Sequence, residues 1–220
     1  MVTYAIGDIH GCLEQLLRLL DRCAQHGGDQ PARYVFVGDY IDRGPDSCGV
    51  VALLSDLQHK MPGSVICLRG NHEQLLLRAL REEEAVLEWF RNGGGPTLAS
   101  YGVLRAEELP AKHLAWIASL PTCFDDGLRY FVHAGVNPGR PLDQQNENDQ
   151  LWIREPFLFD ERDYGRLIVH GHTPIEAGMP DLRAHRLNLD TGAVYGGPLT
   201  AAIFTDEQVV PIAFLTDRAE

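Results

Sequence analysis

The chain has 220 residues and a formal net charge of −12, with 45% hydrophobic and 23% charged residues. That length suits one domain with a sizeable core, and the composition is typical of a soluble globular protein. The acidic balance argues against nucleic acid as the main partner, since affinity for nucleic acid comes largely from Lys and Arg. A phosphate substrate is not excluded, because bound divalent cations reverse the sign of the local field.

Two features of the chain bear on its cellular location. No stretch approaches the roughly 18 consecutive apolar residues of a membrane span, and the N-terminus lacks the basic and apolar regions of a signal peptide. The five cysteines are scattered without a C-x-x-C pair, which is typical of reduced thiols. We therefore expect a cytoplasmic protein that has no membrane partner.

The first half of the chain alternates short apolar runs with amphipathic segments. Leu13, Leu16, Leu17 and Leu20 follow the i, i+3, i+4, i+7 spacing of a helix that packs one face on a core. The same analysis predicts three strands and three helices in alternation. The strands are 4–6, 33–37 and 64–68, and the helices are 13–24, 46–59 and 73–90.

The second half of the chain is predicted to be rich in strands. Asp126-Gly127 is a hairpin signal between two runs of strand-forming residues. Helical segments at 97–101 and 110–120 come before it, and we interpret residues 93–120 as a helical, cap-like insertion. The predicted strands are 122–125, 128–132, 166–169, 186–189, 200–205 and 209–214.

No repeat, low-complexity tract or linker divides the chain, so we expect residues 1–220 to form a single domain. The order of three strand–helix pairs followed by mostly strands predicts an α/β fold. In this fold two mixed β-sheets pack against each other, and helices flank them on the outside.

Five short polar clusters come directly after predicted strands. An isolated Asp or Asn in such a place is usually a turn former or a helix N-cap, and an isolated His is usually a core residue. Five clusters at one end of the strands indicate a shared site instead, because ligands bind at the carboxyl ends of strands in open α/β sheets. The clusters are Asp8-Ile9-His10, Asp39 with Asp42-Arg43, Asn71-His72-Glu73, His133-Ala134-Gly135 and His170-Gly171-His172.

The side chains in these clusters have the chemistry of a metal centre. Oxygen and imidazole ligands together suit Mn, Fe, Zn or Mg rather than a thiolate site. Two or three carboxylates, three histidines and an asparagine are too many ligands for one ion. The set therefore predicts two ions that share one carboxylate, an arrangement that serves phosphoester cleavage.

At these clusters the sequence resembles the phosphoprotein phosphatases, which belong to the calcineurin-like metallophosphoesterases, in their short bacterial and phage form. The motifs are in the family's order and spacing. They are Gly-Asp-Ile-His-Gly at 7–11, Gly-Asp-Tyr-Ile-Asp-Arg-Gly at 38–44, Gly-Asn-His-Glu at 70–73, His-Ala-Gly at 133–135 and Gly-His at 171–172. The resemblance implies a four-layer αββα fold and a hydrolase that cleaves phosphomonoesters.

The resemblance assigns a metal-binding role to six residues. Many wider metallophosphoesterases have Gly-His-x-His where this chain has Gly-His-Thr-Pro at 171–174, which leaves the first ion with fewer protein ligands. We expect two Mn²⁺ ions, with Mg²⁺, Fe and Zn as alternatives, and they would activate a water between them. The assigned ligands are Asp8 and His10 for the first ion, Asp39 for both ions, and Asn71, His133 and His172 for the second.

The resemblance also assigns catalytic and substrate-binding residues. His72 would be the general acid that protonates the leaving alkoxide, and Asp42 would orient it. Arg43 and Arg154 would bind the phosphoryl oxygens, because a planar guanidinium suits bidentate contact with them. Tyr195 lies where the family places residues that face the substrate.

These assignments favour a metal-dependent serine/threonine protein phosphatase that acts on phosphoproteins or phosphopeptides, with phosphotyrosine as a further candidate substrate. The nearest rival is a symmetrical dinucleoside tetraphosphate hydrolase, followed by enzymes of other nucleotides, polyphosphate or small phosphoesters. Such hydrolases typically have Ala-Arg-Gly-Pro where this chain has Asp-Arg-Gly-Pro at 42–45, so Asp42 favours the phosphatase. A non-catalytic metal-binding module is disfavoured, because no assigned residue is missing.

Overall fold

The computed structural model describes residues 1–218. In that part of the chain there are ten strands and seven α-helices. The strands are β1 (Val2–Ile6), β2 (Ala32–Phe36), β3 (Val65–Cys67), β4 (Cys123–Asp125), β5 (Arg129–Val132), β6 (Leu167–His170), β7 (Asp181–Leu182), β8 (Arg186–Asn188), β9 (Thr200–Thr205) and β10 (Ala213–Thr216). The helices are α1 (Leu13–Gly27), α2 (Ser47–Lys60), α3 (Asn71–Ala79), α4 (Glu83–Arg91), α5 (Gly94–Tyr101), α6 (Ala111–Ser119) and α7 (Glu147–Trp152).

The strands form two five-stranded sheets, and each sheet is mixed. Sheet A has the order β10-β9-β1-β2-β3, in which β1, β2 and β3 are parallel and β9 is antiparallel to both of its neighbours. Sheet B has the order β4-β5-β6-β8-β7, in which β5, β6 and β8 are parallel and the two edge strands are antiparallel. The predicted α/β fold with two mixed sheets is confirmed.

Alternate residues of the central strand β1 face two different apolar layers. Tyr4 and Ile6 pack into the core that sheet A forms with its helices, whereas Ala5 packs into the layer between the two sheets. Phe131 of β5 and Phe204 of β9 meet in that inter-sheet layer, with ring centroids 6.3 Å apart. Burial on both faces explains why β1 is buried along its whole length and contains no charged residue.

The outer face of sheet B carries a smaller apolar cluster. Tyr130, Val132 and Ile168 pack there with Phe157. The chain that covers this face consists of α7, one-turn helices and loops. Sheet B is therefore flanked by shorter helices than sheet A.

The predicted single helix over 73–90 is wrong, because the chain forms two helices, α3 and α4, that pack against each other. Helix α4 has Glu83 and Glu84 in its first turn, where acidic side chains interact favourably with the helix dipole. The acidic run thus marks a helix start. One straight helix would place Trp89 about 25 Å from His72, whereas the break turns α4 back and brings Trp89 towards the sheet edge.

Residues 93–120 contain α5 and α6, which pack against α2, α3 and α4. Thr97 of α5 is fully buried, and its hydroxyl donates a hydrogen bond to Oδ1 of Asp42 over 2.7 Å. The segment therefore contributes to the polar edge that the sequence motifs occupy. The single domain over 1–220 with a cap-like insertion in this segment stays a prediction.

Two strands at the sheet edges differ from the sequence prediction. The last strand is β10, a few residues later than the predicted 209–214. Strand β7 was not predicted, because two residues are too short for a periodic pattern. Neither difference affects the strands that precede the polar clusters.

None of the described helices is both long enough and apolar enough to cross a lipid bilayer. The five cysteines are free thiols, and Cys12, Cys23 and Cys67 are buried.

Candidate functional site

Six parallel strands end at one edge of the packed sheets, and polar residues follow each of them. Backbone hydrogen bonds continue both sheets past the strand ends, from Val37 N–H to Ile6 O and from Gly171 N–H to His133 O. The polar residues are Asp8 and His10 after β1, Asp39, Asp42 and Arg43 after β2, Asn71 and His72 after β3, His133 after β5, His172 after β6 and Asp190 after β8.

One group of candidate ligands consists of Asp39, His133 and His172, whose ligand atoms lie within 4.8 Å of one another. Nε2 of His133 lies 2.8 Å from Oδ1 of Asn71 and 3.4 Å from Oδ1 of Asp39. Nδ1 of His172 lies 2.8 Å from the same oxygen of Asn71. His133 donates from Nδ1 to the carbonyl of Val37, so its Nε2 carries a lone pair. Lone pairs that converge in this way suit a shared cation.

A second group shares Asp39, since His10, Asp39 and His72 also place ligand atoms within 4.8 Å of one another. Nδ1 of His10 donates to the carbonyl of Ile41 over 2.8 Å, which leaves the Nε2 lone pair 3.4 Å from Oδ2 of Asp39. Nε2 of His72 lies 4.0 Å from the same oxygen. The two oxygens of Asp39 therefore face the two groups, one each, which is the position that a bridging ligand needs.

Asp8 is bound by the backbone of His172, a member of the first group. Its two oxygens accept the N–H of His172 at 3.2 and 3.0 Å. The carboxyl group of Asp190 contacts that of Asp8. Burial, followed by the charges of Asp190 and Asp39, raises the pKa of Asp8 well above its usual range. Two buried carboxyl groups in contact require a proton or a cation, and a divalent ion meets that need.

Asp190 is a site residue that the sequence analysis missed. It is 4% exposed, and its Oδ1 accepts the N–H of Gly192 over 3.2 Å. Burial raises its pKa to about 6, and the Asp39 charge acts in the same direction. The signal was present, because Asp190 comes directly after a predicted strand, as the five recognised clusters do.

The protonation states at this edge suit metal binding. Burial lowers the pKa of His10 to about 3 and that of His172 to about 2, and it also lowers the pKa of His133. Burial acts to raise the pKa of Asp39, but the surrounding imidazoles, His133 first, outweigh it and lower that pKa. Neutral imidazoles and an ionised carboxylate are the forms that bind metals, so the donor set fits two divalent ions.

His72 and Asp42 form a fully buried pair, with Nδ1 of His72 2.7 Å from Oδ2 of Asp42. Nε2 of His72 lies 4.0 Å from Oδ2 of Asp39 and has no hydrogen-bond partner among the described residues. Burial acts to lower the pKa of His72, but the Asp39 and Asp42 carboxylates outweigh it and raise that pKa. An imidazolium with one N–H on a carboxylate and the other directed into the site can donate a proton there.

The two predicted phosphate-binding arginines differ in their surroundings. Arg43 is half-buried, with Nη1 2.8 Å from Nε2 of His10 and its guanidinium carbon 5.8 Å from the ring centroid of Tyr195. Arg154 is exposed just beyond α7. Its charge contributes to the lowered pKa of His172, although burial contributes more. Both arginines therefore lie near the candidate ligands.

Glu73 holds the backbone of the loop after β2. Its Oε1 accepts the N–H groups of Tyr40 and Ile41 at 2.8 and 3.3 Å. Its Oε2 accepts those of Asp39 and Gly70, both at 2.9 Å. Glu73 belongs to a recognised motif, but the sequence could not reveal this role because most of the donors are distant in the chain.

Five site residues other than glycine have positive φ angles. Such conformations cost roughly 1 kcal/mol or more each, and they persist where surrounding contacts hold them. Their concentration at this edge indicates loops whose shape is set by function rather than by local preference. The residues are His10 (46°), Asp39 (55°), Asp42 (73°), Arg43 (66°) and His172 (66°).

Comparison with known proteins identifies relatives of two kinds. Serine/threonine-protein phosphatase 1 of Salmonella typhimurium is 35% identical over 210 residues, which cover 91% of this chain and 90% of that protein. The asymmetrical bis(5'-nucleosyl)-tetraphosphatase PrpE of Oceanobacillus iheyensis is 30% identical over 236 residues, which cover 94% of this chain and 90% of that protein.

A solved structure agrees with the fold described above. The crystal structure of a candidate diadenosine tetraphosphatase superposes with a TM-score of 0.71 at 26% identity, covering 98% of this chain and 93% of the other. The family model described as calcineurin-like phosphoesterase matches residues 1–208. The binuclear divalent metal centre of this family corresponds to the two groups of candidate ligands around Asp39. The resemblance seen in the sequence motifs is confirmed, and the chain belongs to the calcineurin-like phosphoesterase family.

Proposed function

We propose that the chain is a metal-dependent protein phosphatase that removes phosphate from phosphoserine and phosphothreonine. The observation that carries the proposal is the 2.7 Å contact between Nδ1 of His72 and Oδ2 of Asp42. This pair supplies a proton donor beside the two groups of candidate metal ligands. Phosphoester hydrolysis in general follows from membership of the family, and the kind of phosphoester is what we propose.

A proton donor matters most when the leaving group is poor. Serine and threonine leave as strongly basic alkoxides, which need a proton as the ester bond breaks. A nucleotide or a polyphosphate leaves as a phosphate, whose second pKa is only about 6, so it departs with much less help. The buried pair therefore supports an alcohol phosphomonoester as the substrate rather than a phosphoanhydride.

The candidate ligands would hold two divalent cations, for which we propose Mn²⁺. Imidazole, carboxylate and amide donors suit Mn²⁺, with Fe, Zn and Mg²⁺ as alternatives. When bound, the ions supply a water of lowered pKa as the nucleophile and offset the charge of the phosphoryl group. The residues that would hold them are Asp8 and His10 for one ion, Asp39 for both, and Asn71, His133 and His172 for the other.

The remaining site residues bind the substrate and move a proton. Arg43 and Arg154 would contact the equatorial phosphoryl oxygens, where charge spreads in the transition state. His72 would give the proton on Nε2 to the leaving oxygen, while Asp42 keeps a proton on Nδ1 and fixes the plane of the ring. Tyr195 lies against the Arg43 guanidinium and would restrict its position.

A second candidate function is hydrolysis of dinucleoside tetraphosphates. It is favoured by the similarity to PrpE and by a cavity of about 960 Å³ beside Arg43, which is large enough for a nucleotide. The cavity also suits a peptide segment, so the leaving group decides between the two functions. Phosphotyrosine, polyphosphate and small phosphoesters are further candidate substrates of the same site.

The test is a substrate panel on purified protein. We expect Mn²⁺-dependent hydrolysis of phosphoserine and phosphothreonine peptides with a higher kcat/KM than that of diadenosine tetraphosphate or polyphosphate. A chelator should abolish every activity. His72→Asn is the matched control, and it should impair the peptides far more than the anhydrides. A higher kcat/KM on diadenosine tetraphosphate, unaffected by His72→Asn, would overturn the proposal in favour of the second candidate.

We also assign the reaction to the cytoplasm. All five cysteines are free, which is typical of a reducing compartment. Fractionation of cells that express a tagged copy would test this assignment, and recovery in an exported fraction would contradict it.

A further inference from the structure

The carboxylate of Asp42 accepts hydrogen bonds from more than His72. Nε1 of Trp89 donates to it, at 3.0 Å from each oxygen. The hydroxyl of Thr97 donates to Oδ1 over 2.7 Å. Asp42, Trp89 and Thr97 are all fully buried. The residue that orients His72 is therefore itself held by two side chains that lie outside the sequence motifs.

The direction of these hydrogen bonds is fixed by the donors. An indole N–H can only donate, so both oxygens of Asp42 act as acceptors. Oγ1 of Thr97 accepts the backbone N–H of Asp42 over 2.9 Å, which leaves its own hydrogen for Oδ1. Asp42 is thus fixed from its backbone and from both oxygens, and Oδ2 is left facing Nδ1 of His72.

The glycine run at 93–95 allows these two side chains to reach Asp42. A Cβ atom at Gly94 would lie 2.5 Å from the Trp89 ring, so only glycine lets α5 pack this closely on that ring. Gly93 has a φ of 105°, and its carbonyl accepts the backbone N–H of Arg43 over 3.0 Å. The turn between α4 and α5 is therefore built against the loop that carries Asp42 and Arg43.

We propose that Trp89 and Thr97 are positioning residues that fix Asp42 and, through it, the orientation in which His72 donates its proton. The inference rests on the proposed function of His72 as the general acid. It assigns a role in catalysis to the break between α3 and α4, because that break brings Trp89 to Asp42. It also gives α5 a role in supporting the proton donor through Thr97.

A misplaced proton donor has a specific kinetic signature. Loss of proton donation slows cleavage of a basic leaving group strongly and that of a weakly basic one little. A phosphoserine peptide has the basic leaving group, and 2,4-dinitrophenyl phosphate has the weakly basic one. A general loss of structure would slow both reactions alike.

The test compares Trp89→Phe and Thr97→Val on these two substrates with Mn²⁺ present. We expect kcat on the peptide to fall about tenfold or more in each variant, with the dinitrophenyl ester changed less than about threefold and KM unchanged. Thr97→Ser keeps the hydroxyl and should restore the peptide activity. Trp116→Phe is the matched control, since its indole N–H donates to Gln58 and not to Asp42, and it should leave both rates unchanged.

His72→Asn separates this inference from the proposed function. If His72→Asn slows both substrates equally, the general-acid role itself fails. If His72→Asn shows the selective loss and Thr97→Val does not, the positioning role fails. Equal losses on both substrates in Trp89→Phe and Thr97→Val also overturn it. Should Trp89→Phe not fold, as judged by circular dichroism, the Thr97→Val and Thr97→Ser pair decides the matter alone.

Discussion

Nη1 of Arg43 lies 2.8 Å from Nε2 of His10. Because Nδ1 of His10 donates to Ile41, Nε2 is the acceptor and the guanidinium donates to it. This is the lone pair with which His10 would bind a metal ion. Arg43, which we propose to bind phosphate, therefore lies beside the atom with which His10 would bind a cation, and its positive charge opposes a cation there.

Arg43→Ala should consequently strengthen metal binding while it weakens catalysis. Removal of one hydrogen bond to His10 and of one repelling charge should tighten Mn²⁺ binding roughly tenfold. The loss of phosphate contact should lower kcat/KM for a phosphopeptide. Titration calorimetry on chelator-treated protein measures the affinity. Arg81→Ala is the control, because Arg81 is exposed between α3 and α4; equal affinities in both variants would rule out this effect of Arg43.

His72→Asn should lose catalysis but keep metal. We expect kcat on a phosphoserine peptide to fall by about 10²-fold or more, while the metal content stays near that of the unaltered protein. The metal content matters because Nε2 of His72 lies within reach of a candidate ligand group. Elemental analysis after gel filtration measures it. A variant that loses one ion per chain would show that His72 is a ligand rather than the acid.

Glu73→Gln should destabilise the fold. Each carboxylate oxygen accepts two backbone N–H groups, and an amide nitrogen in place of one oxygen would leave two buried donors unpaired. At about 1–3 kcal/mol for each of the two unpaired groups, the free energy of unfolding should fall by about 2–6 kcal/mol. Urea denaturation of the metal-free protein measures the change. Glu161→Gln, at an exposed position outside the helices and strands, should leave the midpoint unchanged.

Asp190→Asn should weaken metal binding, because it removes a negative charge beside Asp8. Groups that support metal ligands typically contribute about 10–100-fold to affinity, so we expect a loss of that order for one Mn²⁺ ion. Asp163→Asn is the matched control, since Oδ1 of Asp163 accepts the Gly165 N–H as Oδ1 of Asp190 accepts the Gly192 N–H. An unchanged affinity in Asp190→Asn would contradict a role near the ions.

The same variant should change how stability depends on pH in the metal-free protein. The pKa of Asp190 is raised to about 6 by burial, so the folded state holds this proton more tightly than the unfolded state. Stability from this group is present below pH about 4 and is lost as the pH rises towards 6. Asp190→Asn should therefore gain stability relative to the unaltered protein over that range. Melting curves of both proteins from pH 4 to pH 7 measure this difference. A variant that loses stability relative to the unaltered protein as the pH rises would contradict the prediction.

The sequence predicted the residues at this edge because each follows a strand. His10 and Asp39 follow parallel strands of sheet A, and His133 and His172 follow parallel strands of sheet B. The carboxyl ends of parallel strands meet at one edge, so a local pattern was enough to place distant residues together. The same rule would have found Asp190, which follows β8.

The residues that hold these side chains in place by hydrogen bonds could not be predicted in the same way. Trp89 and Thr97 stand in helical segments whose pattern indicates packing, and their contact with Asp42 depends on the break after α3. Periodicity over 73–90 continues across that break, so it gave no sign of two helices. A local pattern cannot report a hydrogen bond that only tertiary packing creates.

The pairing of β1 has a consequence for the synthesis of the chain. Val2 pairs with Ala32 on one side and with Thr205 on the other, so sheet A joins residues from nearly opposite ends of the described chain. The ribosome must therefore have synthesised residues 200–205 before β9 can close the sheet. Pairings of such long range form slowly, and until they form the segments that carry Asp8 and Asp190 are not held together. The part of the site that contains Asp8 would therefore be completed only after β9 has been synthesised.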